Sequence, residues 1–471
     1  MIEKSPSFDL AVVGGGYAGL AAANRAAQLG LKAVVLERGS EELYPCNSRY
    51  AGGVLHVSYH NVTDPVPELT QAIVDIGAGW TKPALAAAMA GSAARAVEWL
   101  TAEGAELGPP AKSSWRKHVL APVRPSVPQM EWKGHGADVT LRRLEQNLIR
   151  RGGEFHRNAR ATSLILEGAR CVGVNVEESG ASRGYRARAV VLADGGFQAN
   201  PELLGEHITR APERLKQRCA PSGTGDGLRM AQQAGGAAIG LEAFYGHLLS
   251  RDAMESDRIW PYPQVDEVAA AGIVVNPEGR RIADEGLGGV FLSNAVARQP
   301  DPLGMTAVFD EAIWQGPGRA AAIPVNPTLV TAGGTLYQAE TIAGLADKIR
   351  VPARALESTV AEYNAAVESG RTDRLRPAKT GTKRPPTRIA EPPFYGVPIC
   401  AGITFTMGGV VIDEHGRVLR ADRTPVSGLY AAGGIAGGLC GGPLCGYTGG
   451  LMKAIVFGLL TAEHIAQSAA R

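Results

Sequence analysis

Gly14, Gly16 and Gly19, followed at a distance by Glu37, have the types and spacing to hold a dinucleotide. In such a turn Gly14 permits the tight bend, Gly16 lets a pyrophosphate approach the backbone, and Gly19 lets the following helix pack on the strand. The helix N-terminus offers backbone donors to the phosphates, and Glu37 is expected to accept the ribose hydroxyls of the adenosine half. Far along the chain, Gly449 and Gly450 open an apolar, helix-patterned segment behind a strand-like run that ends in Gly433 and Gly434. A helix there aims its positive end at the pyrimidine edge of a flavin, where reduction places negative charge near N1 and the C2 carbonyl. The dinucleotide expected on these grounds is a flavin rather than a nicotinamide.

These residues need a βαβ unit to position them. The apolar run Leu10-Ala-Val-Val leads into the glycine turn, an Ala-rich segment follows, and Val34-Val-Leu runs out on Glu37. A lone Gly-x-Gly-x-x-Gly is a weak signal, but here strand, helix and acid all stand at their distances. A chain of 471 residues is too long for one typical domain, and the pattern predicts two α/β lobes. A formal charge of +2 without a Lys/Arg run gives no case for nucleic acid. No apolar run is long enough to span a bilayer, and residues 1–6 do not read as a signal peptide, so a cytoplasmic enzyme without membrane insertion is expected. Cys46, Cys171, Cys219, Cys400, Cys440 and Cys445 are scattered, lack any metal-ligand spacing and are expected as free thiols.

Further motifs recur nearly end to end: Asn47-Ser48-Arg49-Tyr50-Ala-Gly52-Gly53, Ala193-Asp194-Gly195-Gly196, Gly223-Thr-Gly-Asp226-Gly, Asn276 to Glu285, Thr406-Met-Gly-Gly, and Gly428 to Gly433. In these the chain resembles the FAD-dependent succinate dehydrogenase and fumarate reductase flavoproteins. The likeness is to their soluble single-subunit branch, which includes tricarballylate dehydrogenase and the 3-ketosteroid desaturases. The resemblance implies a Rossmann-type α/β FAD-binding domain with an inserted α+β capping domain. Residues 1–241 and 401–471 would form the first and residues 242–400 the second, with substrate between them.

Carried over position by position, the cofactor contacts fall on Gly14, Gly16, Gly19, Glu37, Arg38, Asn47, Ser48, Gly52, Gly53, Ala161, Ala193, Asp194, Gly195, Asp226, Gly433, Gly450, Leu451 and Met452. Asp194 stands where relatives often have Thr, and Gly434 where they often have Glu. The covalent-flavin members carry a Ser-His-Thr sequence where this chain has Asn-Ser-Arg, so FAD is expected without a covalent link. No second nucleotide fingerprint is visible. A separate electron acceptor, whether a protein, a quinone or oxygen, is therefore implied.

The departures from the resemblance narrow the substrate. Gly stands where fumarate reductases have their proton-delivering Arg, Phe405 where they have a His, and residues 440–447 where they have an Asn-Arg clamp. A small dicarboxylate needs fixed guanidinium partners, so fumarate and succinate are not expected. Tyr447, ahead of Gly449 and Gly450, takes the place of the carbonyl-polarising Tyr of ketone desaturases, and Tyr245 or His247 that of the base. Arg49, Tyr50, Phe405 and Gly449 are the candidate substrate contacts, while Arg280, Arg281, Asp284 and Glu285 are expected to form a structural ion-pair turn. The expected activity is desaturation of a carbon–carbon bond next to the carbonyl or carboxyl group of a small organic acid or cyclic ketone, with hydride passing to flavin N5. The alternatives are reduction of an enone or unsaturated acid, a precorrin-type or secondary-metabolite oxidase, and a non-enzymatic flavoprotein.

Overall fold

The computed structural model describes residues 7–109, 113–125, 127–129, 131–381 and 385–469. The apolar run becomes the strand Ser7–Val13, the Ala-rich segment the helix Tyr17–Gln28, and the second run the strand Ala33–Leu36. The two strands pair in parallel, with Val12 opposite Val35, while on the other side Val12 faces Val191 of the strand Ala181–Leu192. Val12, Val34, Val35, Val190 and Val191 have no exposed surface, as a sheet covered on both faces requires. Each such side chain stabilises the fold by about 1.5–3 kcal/mol.

This sheet has eight strands. Pro425–Ala431 continues it in parallel beyond Ala181–Leu192, Glu154–His156 closes it beyond Ala33–Leu36, and an antiparallel flap of Ala159–Glu167 and Arg170–Glu178 leans on its middle. The closing helix Gly450–Ala469 packs along the first helix. Gly458 makes that approach possible, since a Cβ there would stand 2.6 Å from the Ala18 carbonyl oxygen.

A second sheet of six strands is built around Phe394–Thr406, which pairs antiparallel with Phe244–Ser250, Thr306–Asp310 and Tyr337–Ala339. The same strand pairs in parallel with Lys216–Gln217. Position 400 thus lies inside one continuous strand, and this sheet recruits residues from 216 onward. Helices including Asp266–Ala271, Gly289–Ala297 and Ala353–Glu368 accompany it. Among the described residues no helix is long and apolar enough to cross a membrane.

Candidate functional site

A cavity of about 910 Å³ opens between the two sheets. At one end lies the glycine turn. Gly14 has φ +101°, and a Cβ there would stand 2.7 Å from the Ala193 carbonyl oxygen, so only glycine fits. Gly16 begins the helix Tyr17–Gln28 with no side-chain cap and no acidic residue in its first turn, leaving backbone donors at the cavity. The Tyr17 N–H already donates to Ser48 Oγ at 3.0 Å. Glu37 is nearly buried and accepts from the Gly15 and Gly39 N–H groups, each at 2.8 Å, so it braces the turn as well as lining the cavity. Burial pushes its carboxyl up.

Opposite stand two further carboxylates. Asp226 pairs with Arg160 at 3.1 Å and lies 3.6 Å from Arg38, which itself donates to Thr224 Oγ1 at 2.6 Å. Asp194 accepts from the Gly227 N–H at 2.7 Å through Oδ2, while its buried Oδ1 has no partner. Burial pushes this carboxyl up to about 7. A cradle that a Cβ would fill, an uncapped helix start and an orphaned carboxyl oxygen on one wall fit a dinucleotide lying across the turn. Gly52, Gly53, Ala161, Gly195, Gly433, Gly450 and Leu451 also line the cavity. Asn47 lines it while tying the short helix Asn47–Tyr50 to the second sheet, donating to the Thr404 carbonyl at 2.9 Å and accepting from the Ala220 N–H at 2.8 Å.

Four expected contacts fall elsewhere, each for a packing reason. Arg49 is fully buried in an ion pair with Asp138 on the helix Gly136–Arg150, with its guanidinium over the Tyr44 ring, so it cannot face a substrate. Met452 is turned into the core. Gly449, at φ +108°, is where the chain squeezes past the His56 carbonyl, 2.2 Å from where a Cβ would be. Gly19 packs on the Gly14 carbonyl beneath the turn, which is a helix-packing role without cavity contact. Arg281 and Glu285 form a buried ion pair, as expected for a structural turn.

At the other end of the cavity, Tyr245 and His247 lie on the strand Phe244–Ser250, whose pairing register shifts between Tyr245 and Gly246. His247 Nε2 stands 3.0 Å from the Tyr245 hydroxyl, and His247 Nδ1 stands 2.5 Å from Asp266 Oδ2. Asp266 opens the helix Asp266–Ala271, and its Oδ1 accepts from the Leu248 N–H at 2.8 Å. An ionised Asp266 fixes the proton on Nδ1 and leaves Nε2 to accept from the phenol. Burial holds His247 below its ordinary value, against the pull of Asp266, and pushes Tyr245 well up. Tyr447 stacks on Tyr245 with ring centroids 4.0 Å apart, and its hydroxyl accepts from the Gly450 N–H at 2.9 Å. That bond leaves the phenolic hydrogen free to donate. Phe405 lies 5.2 Å from Tyr245, and Tyr50 joins the wall nearby.

Two contributors escaped the sequence reading. Asp266 is separated from His247 by a loop, and only its place at a helix start could have suggested an orienting acid. Arg218, on no motif, lines the cavity while only 7% exposed. Among the described residues no group of three or more His, Cys, Asp or Glu could hold a metal.

The βαβ cradle and the partly buried phenol–imidazole–carboxylate line open on one cavity, and the chain that carries them is an FAD-dependent oxidoreductase. The chain matches the family described as FAD binding domain over residues 9–448 and belongs to it. It is 27% identical over 483 residues to a fumarate reductase (cytochrome) of Shewanella frigidimarina, covering 98% of this chain and 77% of that one. It is 30% identical over 364 residues to a 3-oxosteroid 1-dehydrogenase of Mycobacterium tuberculosis, covering 70% and 62%. Its fold is similar to that of a 3-ketosteroid delta1-dehydrogenase from Sterolibacterium denitrificans, with a TM-score of 0.73 at 22% identity over 98% of this chain and 100% of the other.

Proposed function

We propose that this FAD-dependent enzyme desaturates the carbon–carbon bond next to the carbonyl of an organic acid or cyclic ketone. The observation that carries the reading is the continuous line Tyr245–His247–Asp266 on the wall of the cavity, with Tyr447 stacked against its first member. When bound, the flavin supplies at N5 an acceptor for the hydride that leaves the β-carbon. Tyr447 donates its free hydrogen to the substrate carbonyl and so stabilises charge that develops there. Tyr245 takes the α-proton on its hydroxyl oxygen as its own proton passes to His247 Nε2. Asp266 stabilises the imidazolium that results, so no free phenolate has to form in a site that disfavours one. A resting His247 held neutral by burial is an acceptor, which favours proton removal over proton delivery.

The second sheet and its helices act as the cap on this reading, and Tyr50 and Phe405 are the substrate contacts. FAD is held without a covalent link, since Ser48 stands where the covalent-flavin members have their His, and its hydroxyl accepts from the Tyr17 N–H. Six free, buried cysteines fit a reducing cytoplasm, and electrons leave to a separate acceptor. An anaerobic visible-spectrum screen of the purified holoenzyme with cyclic ketones, keto acids, tricarboxylates and steroids tests the reading. Bleaching by one class is the expected result. If none bleaches the flavin, yet an enone reoxidises the chemically reduced protein, the reaction runs as a reductase.

A further inference from the structure

Arg218 follows the short strand Lys216–Gln217, and its guanidinium reaches the cavity wall beside Tyr245 and Tyr262. Nη1 donates to Thr404 Oγ1 at 2.9 Å and Nη2 to the Pro261 carbonyl at 3.3 Å, while Nε, buried, has no partner. Two of five N–H groups are thus used, and both acceptors are uncharged. Among the described residues no carboxylate forms an ion pair with it, and the nearby Asp266 is already engaged by His247 and the Leu248 N–H. The guanidinium of Arg124 donates to the Tyr262 hydroxyl at 3.0 Å and adds positive charge instead of cancelling it. The place is also built for this side chain. Gly402, mid-strand, leaves the room it occupies, since a Cβ there would stand 2.5 Å from Arg218 Cδ.

A buried cation is stable only with a counter-charge, and a guanidinium with free N–H groups on one edge matches a planar oxyanion. We infer that Arg218 is the anchor for a carboxylate carried by the substrate. The neighbouring wall is aromatic: His56, Tyr59, Trp115 and Tyr447 stand with ring centroids 5.0–5.9 Å apart. Such a wall accepts a flat apolar body. The favoured substrate is therefore a cyclic or aromatic acid rather than a neutral ketone. This rests on the dehydrogenase reading only in taking the cavity as the substrate site.

The test is flavin difference spectroscopy on the holoenzyme, titrated with benzoate and with its neutral counterpart benzamide. Benzoate is expected to bind at least about tenfold more tightly, the discrimination a charge-assisted pair provides. Arg218→Met should weaken benzoate by about ten- to a hundredfold and leave benzamide within about twofold, with Arg218→Lys recovering part of the loss. Equal affinities in the unaltered protein, or no binding of either probe, would overturn the anchor without recourse to any variant. So would an Arg218→Met protein that sheds FAD while its remaining holoenzyme binds benzoate as before, because the guanidinium would then serve the cofactor. Binding is read without turnover. A protein that prefers benzoate but is bleached by no carbonyl compound keeps the anchor and loses the dehydrogenase.

Discussion

Asp266→Asn separates a proton line from a mere hydrogen-bonded cluster. The carboxylate has two engagements, Oδ1 with the Leu248 N–H at 2.8 Å and Oδ2 with His247 Nδ1 at 2.5 Å. An Asn carbonyl oxygen can keep the first, so the start of the helix Asp266–Ala271 stays anchored. The amide nitrogen then faces His247 and can only donate, which moves the imidazole proton from Nδ1 to Nε2. Nε2 would point a hydrogen at the Tyr245 hydroxyl, and the phenol would lose the acceptor for its own proton. A positioned base contributes about 10²- to 10⁴-fold, so flavin reduction should slow by about a hundredfold or more. The assay is anaerobic stopped-flow bleaching with the best carbonyl substrate, at matched FAD content. The acid limb of the rate profile gives a second readout. Asp266 raises the His247 pKa against burial, so its removal should carry that limb to lower pH even as the plateau falls. A normal plateau rate, or a lower plateau with an unmoved acid limb, would refute the relay.

In the unaltered enzyme the rate should rise with pH through the His247 pKa, which lies below the ordinary 6.5, because only neutral imidazole accepts the proton. No alkaline loss is expected until the phenols ionise, Tyr447 being pushed up to about 12; initial rates across pH check both limbs. Tyr447→Phe should slow flavin reduction by about a hundredfold, the cost of one donor to a developing oxyanion, with FAD occupancy unchanged in the visible spectrum. Arg49→Met leaves the buried Asp138 with the Gly134 N–H at 2.9 Å and, as its cation, the half-exposed Arg142 at 3.2 Å, and denaturant melts should register a loss of about 3–5 kcal/mol with no change in KM. Gly14→Ala should strip FAD during gel filtration, since its Cβ would collide with the backbone at Ala193.

The cofactor end was legible because its chemistry is local. A turn that needs glycine at Gly14, with a helix start and an acid at fixed distances, is written within 30 residues. The proposed catalytic end is assembled from four separated segments, around Arg218, Tyr245, Asp266 and Tyr447. Pattern reasoning reached Tyr245, His247 and Tyr447 singly and left two of them as rivals for one role. The strand geometry instead puts both in one hydrogen-bonded line. Arg49 misled because a charged residue beside a cofactor loop is ordinarily solvated or functional. Nothing near it in sequence announced Asp138, 89 residues on, as its buried partner.

Asn47 ties the two ends together. Its side chain links the flavin loop to the Thr404 carbonyl of the second sheet, and Thr404 Oγ1 in turn holds Arg218. Phe405, next along that strand, faces Tyr245 in the sheet register. The proposed cofactor loop, anchor and proton line therefore share one short run, residues 404–406, whose backbone cannot shift without disturbing all three. Thr406 extends the tie by accepting from the Phe197 N–H at 3.2 Å, just beyond Asp194 and Gly195. The proposed desaturation, which would hold a C–H bond between a base and a flavin within a few tenths of an ångström, would need such a common frame. On the proposed roles a single strand, Phe394–Thr406, supplies that frame.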